Sequence, residues 1–373
     1  AGLYFHVPYC HKACHYCDFY FSTGIRDAEQ MVAAMLHEIE LRRDYFQGQK
    51  VDTIYFGGGT PSILQDQWID ALLNKAQSVF HLSDQIEITL EANPEDLTAE
   101  KLQSLKSMGF NRLSIGIQSF RDQDLIYMNR NHSAVQSMAV VELARKYNFQ
   151  NLTIDLIYGT PTMDDEGWEY NLQQLNALQL PHFSAYSLTV EPRTALANMV
   201  RSRLAAAPEE DHSAGQFFRL MEWAREAGYE HYEISNFALP ERYSRHNTAY
   251  WNGDIYLGIG PSAHSFNGEV RHWNIRNNHQ YIRDISQHQL PEEIEILTNE
   301  SKYNEYILTK LRTQWGINLE FVKAQYGVEK HLALMKAVSN SIAPEWIVLN
   351  ENQLRLTDHG KLFADYIASS LFA

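Results

Sequence analysis

The 373-residue chain predicts an α/β fold: an incomplete (β/α)6 TIM-type barrel followed by a small, mainly helical, winged-helix-like unit. Three observations carry this. Short β-rich runs alternate six times with helical stretches, the pattern of a parallel sheet with crossover helices. Residues of chemical interest fall at or just after the ends of those runs, where such sheets bind ligands. Near residue 290 the pattern changes to helices gathered around one hairpin. We therefore divide the chain into residues 1–290, a partial barrel with an extension, and residues 291–373, a helical C-terminal unit.

Residues 3–7 read as the first strand and residues 27–46 as a helix, with Met31, Met35 and Ile39 at helical spacing. Residues 53–56 form a strand that runs into Gly57-Gly58-Gly59, and residues 63–80 are helical. A third strand, 86–90, ends at Glu91, and a helix over 98–108 is stopped by Gly109. Strands over 112–117, 152–158 and 183–190 alternate with helices over 133–147 and 167–178. One further helix, 209–227, and strand, 232–237, follow. Six units are fewer than the eight of a closed barrel. An incomplete barrel is therefore the expected shape, with a doubly wound open sheet as the alternative. Beyond residue 290, helices are expected over 301–312, 319–326 and 331–340, a hairpin over 346–349 and 353–356, and a last helix over 358–371.

Hydrophobic residues make up 45% and charged residues 21%, the balance of an ordinary globular protein. No apolar run approaches the roughly 18 residues of a membrane span. No basic stretch followed by an apolar one opens the sequence. The expectation is a cytoplasmic protein with no membrane span, which leaves room for peripheral membrane contact. A formal net charge of −15 argues against a general nucleic-acid binder.

All three cysteines lie within eight residues, as Cys10-His11-Lys12-Ala13-Cys14-His15-Tyr16-Cys17. An odd, clustered set is not a disulfide framework. Thiolates are soft ligands for zinc, copper or iron–sulfur clusters. Most [4Fe–4S] clusters take four cysteines, and no fourth exists here. Three thiolates leave one iron open to chelate a ligand. The competing reading is a Cys3His zinc site completed by His6, His11 or His15. Tyr16 and Phe19 either shield such a centre or are ordinary core aromatics. One βα unit later stands Ile54-Tyr55-Phe56-Gly57-Gly58-Gly59-Thr60-Pro61. A lone glycine triplet is usually a tight turn, but glycine also permits close backbone approach to a ligand. Its place after the cysteines favours a ridge facing a ligand on a cluster.

These motifs resemble the radical SAM superfamily. Tyr4 to Cys10, the cysteine triad and Gly57 to Pro61 carry that resemblance. Glu91-Ala92-Asn93-Pro94, Gly116-Ile117-Gln118-Ser119 and Asp155 to Gly159 narrow it. They resemble the branch that holds the oxygen-independent coproporphyrinogen III oxidases and the HemW-like haem chaperones. The resemblance implies a [4Fe–4S] cluster on Cys10, Cys14 and Cys17 with S-adenosylmethionine (SAM) on the open iron. It implies that Tyr4 and Tyr16 flank SAM, and that Gly58, Gly59 and Thr60 meet its amino group. Glu91, Gln118, Arg130 and Asp155 match the family's polar contacts to SAM. For Arg130 the plain alternative is a surface residue. Asp155 sits in an apolar strand, and a buried carboxylate needs a partner. In this superfamily the reduced cluster splits SAM to a 5′-deoxyadenosyl radical.

Two departures from the oxidase pattern bear on activity. The oxidase has a further cysteine two residues after the triad, where this chain has Phe19. It also has a long segment before its first strand, which here begins almost at residue 1. A third pointer is Arg245-His246-Asn247-Thr248-Ala249-Tyr250-Trp251, which resembles the chaperones' H-N-x-x-Y-W motif. Histidine ligates haem iron and aromatics pack on the macrocycle. The implied ligand residues are His246, Asn247, Tyr250 and Trp251, and without the resemblance they read as a loop with two core aromatics. His264 is a second candidate. The expected function is haem binding and transfer to apo-haemoproteins such as respiratory cytochromes, with oxidative decarboxylation of coproporphyrinogen III as the alternative. A cluster-dependent homodimer is also in keeping with the group.

Overall fold

The computed structural model describes residues 1–373. Its main sheet has twelve strands in the order β12-β11-β10-β9-β1-β2-β3-β4-β5-β6-β8-β7. The strands are β1 (Gly2–Val7), β2 (Val51–Gly58), β3 (Leu82–Ala92), β4 (Arg112–Gln118), β5 (Asn151–Tyr158) and β6 (His182–Ser187). Then come β7 (Glu230–Glu233), β8 (Asn236–Ala238), β9 (Tyr256–Ile259), β10 (His264–Phe266), β11 (Val270–Asn274) and β12 (Glu292–Ile296). Strands β1 to β6 are parallel and lie in sequence order, so the chain winds one way and never reverses. This is the incomplete barrel and not the doubly wound alternative. The sheet order has free ends at β12 and β7.

Each parallel strand has one apolar face. Leu3, Phe5, Ile54, Phe56, Leu90, Leu113, Ile115, Ile154 and Leu156 are fully buried in the main core. Helices Ala28–Leu41, Asp66–Val79, Ala99–Ser107, Ala134–Lys146 and Asp165–Leu178 supply apolar residues to the same core. Their starts follow capping chemistry. Thr98, Ser133 and Asp164 each accept a backbone N–H from the first turn.

The expected strand over 232–237 is two strands. The Glu233 carboxylate accepts the Ser235 N–H and an Asn236 side-chain N–H, which folds the chain into a tight turn between β7 and β8. The sixth strand stops at Ser187, where Leu188 N–H turns back to the Tyr158 carbonyl. The larger unit runs past residue 290, because β12 pairs with β11 along its whole length. Strands β9 to β12 fall where no strand was expected. They are short and pair with one another in sequence order, and the group is anchored by partners remote in sequence. β9 pairs parallel to β1, and Glu38 binds the segment from below. Glu38 is fully buried and accepts hydrogen bonds from Arg42 Nε (2.8 Å), Gly260 N (2.9 Å), Asn274 Nδ2 (2.8 Å) and Tyr281 Oη (2.5 Å).

The C-terminal residues form a second, separate core built on Tyr303, Ile307, Leu311, Leu334, Leu354 and Ile367. Helices Asn299–Leu311, Leu319–Tyr326 and Val328–Ser341 precede a hairpin of β14 (Ile347–Asn350) and β15 (Gln353–Leu356). The two-residue β13 (Ile317–Asn318) pairs with β15. The expected last helix is two, Asp358–Lys361 and Ala364–Ser370, broken at Leu362-Phe363. No helix is long and apolar enough to cross a membrane.

Removing one partner of a buried ion pair strands the other charge, at about 3–5 kcal/mol. Glu38→Ala leaves Arg42 with only Glu292 and Asn274, so urea unfolding should show a loss of that size. A loss under about 1 kcal/mol would mean the site relaxes without it.

Candidate cofactor and ligand site

The three cysteines lie in the loop between β1 and helix Ala28–Leu41. The loop is pinned at its base, where Cys10 N–H donates to Ser22 O (3.0 Å) and Ser22 N–H to Pro8 O (2.8 Å). Its far side is pinned by Asn129 Nδ2, which donates to Ala13 O at 2.7 Å, and by His15 N–H, which donates to Met128 O at 3.2 Å. Two donors face the sulfurs: Arg130 Nη1 lies 3.3 Å from Cys14 Sγ and Thr60 Oγ1 lies 3.5 Å from Cys10 Sγ. The histidines that a zinc site would need are engaged elsewhere. His6 bonds Tyr4 Oη and Tyr20 O, His11 bonds Asp96, and His15 bonds Tyr127 O. No three His, Cys, Asp or Glu side chains converge on a point that would hold a single ion.

The glycine ridge is pressed against this loop. Thr60 N–H donates to Tyr9 O at 2.6 Å, and Gly58 has φ +109°, a conformation that glycine takes without cost. A Cβ on Gly59 would stand 2.5 Å from Tyr9 O and 3.0 Å from Cys10 Sγ. Only glycine fits there.

A cavity of about 450 Å³ opens at the carboxyl ends of the parallel strands. The structure brings Cys10, Cys14, Cys17, Tyr16, Gly58, Gly59, Thr60, Glu91, Gln118, Arg130 and Asp155 to its wall. Tyr4 lines the neighbouring cavity instead. Tyr16 packs on Leu125, Met128, Ile157, Leu188 and Leu196. Arg130 is not a free surface residue: its Nη2 bonds Asn93 Oδ1 (2.6 Å) and Gly116 O (2.7 Å), and its Nε has no partner. Gln118 ends β4 in a left-handed conformation, φ 68°, a strained position for a residue with a side chain. Burial pushes the Glu91 carboxyl up to about 7, against the pull of the Tyr55 hydroxyl, which donates to it at 2.7 Å. Burial likewise pushes Asp155 up to about 6, against hydrogen bonding from Ser184. Two carboxyls with no ion-pair partner and an arginine with an orphan N–H make a wall that suits a polar, zwitterionic ligand.

A second cavity, of about 1090 Å³, adjoins the first and shares Asp18, Phe19, Gly58, Glu91 and Tyr186 with it. Residues 245–252, read from sequence as a loop, form a helix that lines it with His246, Asn247, Tyr250 and Trp251. Two groups hold the helix start. Ser244 Oγ accepts Asn247 N–H (3.3 Å), and the buried Glu87 carboxylate accepts the N–H groups of Arg245 (3.0 Å) and His246 (3.2 Å). The His246 ring stacks on Tyr55, with centroids 5.0 Å apart, and faces Tyr4 at 6.4 Å. Its Nδ1 bonds Thr53 Oγ1 at 2.8 Å, and no protein group bonds its Nε2. Burial lowers its pKa to about 4, so the ring is neutral at pH 7 and keeps a nitrogen lone pair. His264, stacked on Trp273 at 5.8 Å, lines the same cavity. Phe19 is 70% exposed on the rim and is no core aromatic.

Glu87, Thr53 and Tyr55 were not singled out from sequence. Their signal was present: Thr53 and Tyr55 alternate with Ile54 and Phe56, and Glu87 and Glu91 with Ile88 and Leu90. Period-two alternation marks a strand with two different faces.

Glu91 keeps its proton to higher pH when folded than the usual carboxyl value of 4.5 allows. The folded state therefore binds more protons between those limits, and stability falls as pH rises through that window and levels off above about 7. The stability of ligand-free protein relative to its Glu91→Gln variant should decline from about pH 5 to about pH 7.5 in urea titrations. A flat or rising difference would contradict the raised carboxyl.

Comparison with known proteins places the whole chain. The radical SAM superfamily model matches residues 4–175, and the HemN C-terminal domain model matches residues 297–363. The heme chaperone HemW of Lactococcus lactis subsp. lactis is 33% identical over 96% of this chain and 94% of its own length. That of Bacillus subtilis is 32% identical over 98% and 97%. The coproporphyrinogen III oxidase HemN of Escherichia coli, a radical SAM enzyme, superposes with a TM-score of 0.86 over 100% of this chain and 90% of its own, at 23% identity. That likeness shows the shared barrel and C-terminal helical unit. Superfamily membership implies a [4Fe–4S] cluster and SAM. The chain belongs to the radical SAM superfamily and, within it, to the HemW family.

Proposed function

We propose that the protein is a haem chaperone that binds haem in the larger cavity and passes it to apo-haemoproteins, respiratory cytochromes among them. One observation carries the reading: a large cavity with an aromatic wall holds a neutral histidine whose Nε2 is uncommitted and whose Nδ1 is already oriented. Histidines that bind metals commonly hydrogen-bond through the second nitrogen, which orients the ring. Here Thr53 fixes Nδ1, Tyr55 and Tyr4 hold the ring plane, and Glu87 holds the helix that carries it. Tyr250 and Trp251 offer flat apolar surface for a macrocycle. Asn247 lines the same wall.

Cys10, Cys14 and Cys17 are the residues to hold a [4Fe–4S] cluster, with SAM in the smaller cavity. The donor set fits. Three thiols stand beside two hydrogen-bond donors aimed at sulfur, and the glycine ridge leaves no room for a side chain between. Glu91, Asp155 and Gln118 would accept SAM's hydroxyl and ammonium protons, and Arg130 would pair with its carboxylate. Gly58, Gly59 and Thr60 would face its amino group, and Tyr16 would flank it; Tyr4, expected from the resemblance to flank SAM as well, lines the larger cavity and stands outside this set. Such a cluster supplies one-electron reduction when bound. The protein's part is to position the ligand and limit water.

The second reading, coproporphyrinogen III oxidase, is favoured by one observation. The two cavities share a wall, so a tetrapyrrole in one would lie beside SAM in the other. Phe19, on that shared rim, stands where the oxidase has a cysteine, and it tips the balance to the chaperone.

Anaerobically reconstituted protein, titrated with haem, should form a stable complex with a shifted Soret band. His246→Ala should weaken binding at least about tenfold, the equivalent of about 1.4 kcal/mol. Unchanged affinity in that variant would remove His246 as the ligand. Conversion of coproporphyrinogen III to protoporphyrinogen IX by the same sample would overturn the chaperone-only reading. Gly59→Ala should lose most of its iron on reconstitution while the far-ultraviolet circular dichroism holds. Full iron loading of that variant would count against the cysteine loop as the cluster site.

A further inference from the structure

Three arginines line the larger cavity, and two are already paired. Arg271 bonds Glu305 at 2.7 Å. Arg312 lies between Glu233 (3.4 Å) and Asp365 (2.8 Å) and over the Trp251 ring. Arg276 has no carboxylate within 4.0 Å. It is exposed at the mouth, in the turn between β11 and helix Asn278–Ser286.

A solvated surface arginine is the plain reading, but two contacts place this one. Its guanidinium lies over the Tyr20 ring, 5.9 Å from the centroid, and its Nη2 is 3.5 Å from the Asp18 carbonyl. Tyr20 is itself fixed. Its hydroxyl donates to Asn278 Oδ1 and accepts Asn278 N–H, each at 2.9 Å. The platform is therefore tied both to the cysteine loop and to the start of a helix capped by Asn277. The Asp18 carboxylate, which also lines this cavity, makes no ion pair with Arg276.

We infer that Arg276 receives a carboxylate arm of the tetrapyrrole bound in this cavity. The inference rests on the haem reading above. A haem is an apolar disc with two carboxylate arms on one edge. The disc belongs against the aromatic wall of Tyr250, Trp251 and Trp273. Burying the arms would cost far more than leaving them at the mouth, where water and a cation meet them. A guanidinium already held by ring stacking loses little freedom on engaging a carboxylate, and its planar fork matches two oxygens.

The test compares haem with its dimethyl ester, in which both carboxylates are blocked, on full-length reconstituted wild type, Arg276→Gln and Arg276→Lys. Wild type should bind haem about tenfold more tightly than the ester, the scale of one charge-assisted hydrogen bond. Arg276→Gln should bind the two about equally, with the Soret band of the complex unchanged. Arg276→Lys should keep part of the preference. Arg276→Gln that retains the full preference, or wild type that binds haem and ester alike, overturns the inference and leaves the haem reading standing. Wild type that binds neither overturns both.

Discussion

Alternate residues of a strand must face opposite sides of its sheet, and the whole site follows from how this chain uses that constraint. One face of β1 to β6 is apolar and disappears under the helices. The other presents Tyr4 and His6, then Thr53 and Tyr55, then Glu87, Thr89 and Glu91, then Arg112 and Ser114, then Thr153 and Asp155, then His182 and Ser184. Closed barrels fill that inner face with bulky branched residues and become solid. A polar inner face cannot pack dry, because each buried polar atom needs a partner. Toward the strand starts the partners are mostly present. His182 bridges Thr153 (2.6 Å) and Tyr232 (2.7 Å), Arg112 reaches Asn151 (3.0 Å), and Ser184 bonds Asn236 (3.0 Å). At the carboxyl ends Glu91, Asp155 and Arg130 line open space, and Arg130 Nε has no partner. The candidate site lies where the polar inner face meets that space.

Six parallel strands alone would leave the larger cavity without its outer wall. That wall is built by β9 to β12, which contribute Tyr256, His264, Trp273 and Arg271. This segment is not held by a broad apolar face: His264, Ile294 and Ile296 are exposed, and β12 is nearly all solvent-facing. It is held by pairing with β1 and by the buried Glu38 carboxylate, which gathers donors from helix Ala28–Leu41, from Gly260, from Asn274 and from Tyr281. Arg42 extends the same network to Glu292 on β12 at 2.6 Å. The first helix therefore carries, in Glu38 at its far end, the charge around which the outer wall is gathered.

This division explains what the sequence disclosed. The first five parallel strands announce themselves because their apolar faces are continuous and their ends carry glycine or charge. The outer wall did not announce itself, because its strands are short and its anchors to the rest of the sheet lie 200 or more residues away, as in the pairing of Asn274 with Glu38 across 236 residues. Short-range periodicity holds no record of such contacts. Among the site residues, Cys10, Cys14, Cys17 and Gly59 were legible because their chemistry or spacing is rare. Glu87 and Thr53 were passed over, although their alternation with apolar neighbours placed them on the inner face. An ordinary glutamate gains its meaning only when the N-terminus of helix 245–252 arrives above it. His246 was named by resemblance, yet the contacts that orient its ring, Thr53, Tyr55 and Glu87, are tertiary.

The two cavities adjoin, and Glu91 lines both of them. The Tyr55 hydroxyl is bonded to Glu91 Oε1. The Tyr55 ring lies flat on His246, which faces the larger cavity. A ligand that engages Glu91 competes with Tyr55 for the same carboxylate oxygen, and any shift of Tyr55 is felt by the imidazole stacked on it. Packed rings transmit such shifts because an interior at close-packed density has no slack to absorb them. The barrel is one that this chain shares with the oxidase HemN, and here it sets two cavities side by side with Phe19 exposed on their common rim.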